Sequence, residues 1–160
     1  MFARTALTCH LLRVTQKDNI IRQMQSLAII VSGGSTNNLI QVLTLLMASV
    51  HSDLQARVLF RDESVFRLTP ANINTIELSD AYAHDAVNVR QRLARHELTD
   101  VQKLVRDIKA SGDVKYYVCS SSLAICGLKR EDLIPEIDDV RGLPAFLLED
   151  VAVADHVFTF

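Results

Sequence analysis

Residues 27–60 open with Leu27-Ala-Ile-Ile-Val31, break at Ser32-Gly33-Gly34-Ser35, and resume at Thr36-Asn37-Asn38 with a long apolar segment. They close with Ala56-Arg-Val-Leu-Phe60. A short, unbroken apolar run bounded by turn residues is the pattern of a strand covered on both faces. The segment from Thr36 to about Ser52 is apolar on most of its circumference, interrupted by Gln41, Thr44 and Ser49. It falls short of the roughly 18 apolar residues needed to span a bilayer, so a buried helix is expected and a membrane partner is not. A helix that joins two buried strands is a crossover, and crossovers make the strands parallel.

Outward from that unit the pattern continues. Ile73 to Leu78 is a short expected strand, and Ser79 is placed to start a helix reaching about His96. Thr99 with Gln102 three residues on has the form of a capping box. Val101, Leu104, Val105 and Ile108 then supply one face of a helix ending near Gly112. Val114 to Val118 reads as a further strand, followed by a short helix through Cys126 that Gly127 stops. Gly142 to Ala154 reads as the last helix and His156 to Phe160 as a closing strand. The sum is a single α/β domain with a mainly parallel sheet of four to five strands. Residues 1–26 form an N-terminal arm with a short helix near Asp18 to Gln25, and residues 27–160 form the domain. The arm lacks an apolar core between Met1 and Arg13, so no secretory signal is expected.

Composition narrows the function. The chain has 160 residues, 49% hydrophobic, with 5 Gly and 3 Pro, which excludes collagen-like and disordered classes. Its net charge of −2 gives no basic field for nucleic acid. Three cysteines without framework spacing point to a reducing, cytoplasmic setting and not to a disulfide scaffold. The histidines, His10, His51, His84, His96 and His156, make no ligand spacing, so neither a metal nor a cofactor is expected.

Two strand-to-helix junctions could carry chemistry. Cys119 ends a strand and begins a helix, on the carboxyl edge where open α/β sheets hold ligands. The helix dipole and its unengaged N–H groups favour the thiolate there, and Ser120, Ser121 and Ser122 add hydroxyls. The competing reading is a small buried packing residue. Cys126, about 10.5 Å farther along a continuous helix, is beyond disulfide reach and reads first as core, with a second-thiol role open. Cys9 is either a free thiol or a resolving partner. At the other junction, Ser32, Gly33, Gly34 and Ser35 permit close backbone approach and could hold an anion at a helix N-terminus. No Gly-Lys-Ser/Thr follows, and a plain tight turn explains the glycines equally well.

The block Val114-Lys-Tyr-Tyr-Val-Cys119-Ser-Ser-Ser-Leu-Ala-Ile-Cys-Gly127-Leu-Lys-Arg-Glu-Asp-Leu-Ile134 resembles the DsrE/DsrF-like sulfur-relay family. So do Leu27 to Gly33 with the apolar helix that follows, and Gly142 to Phe160. The resemblance covers about 27–60 and 112–160. It implies a flavodoxin-like, three-layer α/β/α domain that assembles into homo-oligomers. It also implies that Cys119 carries sulfane sulfur as a persulfide, as a sulfurtransferase or sulfur carrier, and exchanges it with carriers of TusA or rhodanese type. Ser121, Ser122 and Cys126 stand where Met-rich neighbours are common in the family. The alternative class is a non-catalytic oligomeric module that binds an anion or nucleotide at Ser32 to Thr36.

Overall fold

The computed structural model describes residues 25–160. Cys9 and all of the expected 18–25 helix except Gln25 lie outside these residues, and Gln25 is not helical. Five strands form one parallel sheet: β1 (Ser26–Val31), β2 (Gln55–Phe60), β3 (Val114–Cys119), β4 (Asp139–Arg141) and β5 (His156–Thr159). Their spatial order is β4-β3-β2-β1-β5. The helices are α1 (Thr36–His51), α2 (Glu63–Arg67), α3 (Ala86–Arg95), α4 (Val101–Ser111), α5 (Ser120–Ile125) and α6 (Leu143–Glu149). The expected parallel α/β architecture is therefore the one observed.

Alternation along the strands sorts side chains into two cores. Ile29, Val31, Val58, Phe60, Tyr116 and Val118 face α1 and α4, meeting Leu39, Val42, Leu46, Val105 and Ile108 in the larger core. Ala28, Leu59, Tyr117 and Cys119 face the opposite way and meet Phe146 of α6 in a smaller one. Both faces of the central strands are covered, which explains their continuous apolar runs. Cys119 belongs to the thinner layer.

Three local expectations change. Residues 73–78 form no strand; Ile73 is buried in a turn whose N–H bonds to Thr69. Thr36 at the start of α1 engages Thr75 and Glu77, so that backbone is drawn onto a helix end instead of a sheet edge. The stretch from Ser79 begins as a 3₁₀ helix over Asp80–Asp85 before α3, and Ser79 makes no side-chain cap. The cap of α4 is Asp100, which accepts from Lys103 N at 3.0 Å, and not Thr99. The Gln102 side chain turns to Glu136 instead.

Candidate functional site

β3 delivers Cys119 to the carboxyl edge of the sheet, in extended geometry (φ −67°, ψ 123°), as the N-cap residue of α5. Gly127, at φ +65°, closes the helical turn at the other end, a conformation that glycine adopts without a Cβ penalty. Cys119 is only 3% exposed. Burial pushes its thiol up, yet the net shift is below the ordinary thiol value. The Ser122 N–H and hydroxyl, the Ser121 N–H and the positive charge of Arg61 all favour the anion and outweigh burial.

Ser122 has a second task. Its Oγ accepts the N–H of Asp62 at 2.9 Å, and Asp62 stands at φ 52°, ψ −130°. A non-glycine residue there stores strain of roughly 1–3 kcal/mol that surrounding contacts must offset. The other end of α5 helps, because the Cys126 thiol lies 3.9 Å from the Asp62 carbonyl oxygen. Burial first, and Asp62 second, hold the Cys126 thiol above its ordinary value. Cys126 thus packs and braces, and a persulfide-forming thiolate is disfavoured on it.

The neighbouring strands add two arginines. Phe60 pairs with Val118, so Arg61 follows opposite Cys119; on the other side Cys119 pairs directly with Arg141. Arg141 is tied to Asp150 at 2.7 Å and Glu149 at 3.3 Å, and its guanidinium lies 4.1 Å from the Tyr117 ring centroid. Sequence reading missed Arg61, Asp62 and Arg141. The register of a parallel sheet whose β2 ends at Phe60 would have placed Arg61; β4, three residues long with a charge at each end, left no apolar signal for Arg141.

Ser120 and Ser121 are exposed beside Cys119, and Ser121 contributes through its backbone N–H. The Ser32–Ser35 loop does not join them. β2 lies between β1 and β3, which separates the two junctions by two strand spacings, roughly 9–10 Å. Several of the loop's donors are engaged: Ser32 N and Gly33 N on Phe160 O, Thr36 N on Glu77 O, and Asn38 N on Ser35 Oγ. Gly34 is buried against α2, where an added Cβ would sit 2.9 Å from Glu63 O. Beside the loop lies an open groove of about 740 Å³, lined by Asn37, Glu63, Phe66, Arg67, Glu77 and Asp80 among others. Arg67, the basic residue on that wall, pairs with Glu77 at 3.5 Å. Three carboxylates against one paired guanidinium make a poor phosphate site.

Among the described residues no group of acidic, His and Cys side chains has the arrangement of a metal site, and no helix is long and apolar enough to cross a membrane. A model of the DsrE/DsrF-like family matches residues 25–160. Among solved structures, the chain is similar to MTH1491, a protein of unknown function from Methanobacterium thermoautotrophicum, with 12% identity and a TM-score of 0.52. The match covers 84% of this chain and 98% of that one, a likeness of fold alone. No curated protein matches the chain.

Proposed function

This chain belongs to the DsrE/DsrF-like family, and from that premise, with the general sulfur-relay role it carries, we propose that the protein holds sulfane sulfur as a persulfide on Cys119 and passes it to a partner thiol. The observation that supports this reading is the Cys119 sulfur itself, lowered below the ordinary thiol value despite burial by the Ser122 and Ser121 donors and Arg61. Thiolate is the nucleophile in such exchange. The Cys119 thiolate attacks the outer sulfur of a donor R–S–SH; a new S–S bond forms to Sγ, the donor's own S–S bond breaks, and R–S⁻ leaves with the electron pair. A partner thiolate then attacks the same outer sulfur and releases Cys119 as thiolate. No net oxidant or reductant is consumed. The added sulfur stands roughly 2 Å beyond Sγ, which lengthens the reach of a thiol that is only 3% exposed.

The partners we propose are carriers of TusA or rhodanese type, met in the cytoplasm by a homo-oligomer. Exposed Leu148, Val153 and Val157 on the α6 side and the β5 edge supply apolar surface for such contacts. The anion or nucleotide reading at Ser32–Thr36 has the groove in its favour, but the engaged donors and the acidic lining weigh against it. The deciding test is intact-protein and peptide mass spectrometry after incubation with sodium polysulfide. Wild type should gain one sulfur at Cys119 and lose it to an added thiol acceptor. A Cys119→Ser protein that gains sulfur to the same extent would overturn the reading.

A further inference from the structure

We infer that Arg61 is the positioning residue of the Cys119 site, its guanidinium holding the sulfur anion first as thiolate and then as the outer sulfur of the persulfide. This rests on the persulfide reading above. Arg61 follows Phe60, the partner of Val118 and last residue of β2, and continuing the strand's alternation by one residue puts it on the face of Leu59, Tyr117 and Cys119. Cys119 thus has an arginine just past the end of β2 on one side and one on β4 on the other, and the two differ in what they do. Arg141 is committed to Asp150, Glu149 and the Tyr117 ring. Arg61 keeps a buried Nε without a hydrogen-bond partner among the described residues. Asp62 Oδ2 comes within 2.9 Å of that Nε, off the line of its N–H, and both side chains are partly exposed, so the contact is a screened ion pair. A buried donor whose hydrogen bond goes unmade is costly, and an anion of the Cys119 site in line with that N–H would make the bond that Asp62 does not.

The backbone around Arg61 is held as a support would be. Arg61 N donates to Val31 O at 2.8 Å, and its carbonyl accepts the Ser64 hydroxyl at 2.7 Å. Asp62 then takes its positive φ, fixed by Ser122 from the helix that begins at Cys119. The strained turn and the reactive junction are therefore bolted together through one hydroxyl. Strain kept at such a place fits a positioning role.

The test compares Arg61→Gln, Arg61→Lys and Arg141→Gln with wild type. Two readouts are taken at Cys119, each located by peptide mass spectrometry: the pH–rate curve of iodoacetamide alkylation, and sulfur uptake from sodium polysulfide. Arg61→Gln should move the alkylation midpoint upward; at pH values well below the midpoint, a shift of one pH unit lowers the thiolate fraction about tenfold, and loading there should slow in step. Arg61→Lys, which keeps the charge, should recover part of the shift and guards against a folding defect. Arg141→Gln should move the midpoint less than Arg61→Gln. An unchanged midpoint in Arg61→Gln, or a larger shift in Arg141→Gln, overturns the assignment, while sulfur uptake by wild type still upholds the persulfide reading. If wild type takes up no sulfur but Arg61→Gln still shifts the midpoint, Arg61's hold on the thiolate stands and the persulfide reading falls.

Discussion

The β1–α1 and β3–α5 junctions are built alike and behave differently. Each ends a buried strand at the carboxyl edge of the same sheet and starts a helix. The longer helix, α1 with 16 residues, has the larger stack of peptide dipoles behind it. Two of its first-turn N–H groups are nonetheless taken, Asn38 N by the Ser35 cap and Thr36 N by Glu77 O, and Asn38 Nδ2 reaches back to Gly33 O. α5, with only 6 residues, has Cys119 at its cap and no side-chain cap bond. The N–H groups of Ser121 and Ser122 accordingly act on the sulfur. What separates the two helix starts is whether their donors face a nucleophile, and the length of the helix behind them matters less.

The contrast can be broken at either junction. Gly34→Ala should give the largest loss of stability, about 3 kcal/mol, because the new Cβ meets the Glu63 carbonyl at 2.9 Å, and backbone cannot yield as a side chain would. Urea unfolding measures this, and the alkylation rate of Cys119 should stay within twofold of wild type if the β1 junction is purely structural. A stable Gly34→Ala protein with altered thiol chemistry would tie together two junctions that the sheet keeps apart. Ser122→Ala should cost less, about 1 kcal/mol, since it removes one acceptor from the Asp62 N–H. Its chemical effect should be the larger one: the Cys119 alkylation midpoint rises, because both the hydroxyl donor and the brace on the Arg61–Asp62 turn are gone.

How much of this was legible beforehand follows from the kind of signal each element leaves. β1, β2 and β3 were readable because burial on both faces writes continuous apolar runs, and the position of Cys119 at a strand-to-helix junction was readable from its place between one such run and a serine-rich segment. β4 was not, because three residues paired on the sheet edge need no apolar pattern. The 73–78 stretch misled because Ile73 is apolar for a different reason, a plug under a turn tied to Thr36. Ser122 was visible only as one hydroxyl among three. Its distinct role comes from facing inward, with 3% exposure, while Ser120 and Ser121 face out. Arg61, just past β2, and Arg141, on β4, converge only through register, which a one-dimensional reading supplies late.

The smallest effect expected is also the one most specific to the β3 junction. The folded-state thiol of Cys119 lies below its ordinary value, so in the window between the two the unfolded chain binds more protons than the folded one. Stability must therefore rise with pH across that window relative to a protein lacking the thiol. The difference in unfolding free energy between wild type and Cys119→Ser should be flat at acid pH and begin to move in favour of wild type near the lowered thiol value. It should level off above the ordinary one. Cys126, which burial and Asp62 shift the opposite way, is present in both proteins and cancels. Urea midpoints taken at half-unit steps from pH 5 upward, under reducing conditions, read the curve. A difference that moves the other way as pH rises would mean that burial of the sulfur outweighs its donors. The β3 junction would then be as closed as the β1 junction, and the comparison between them would collapse.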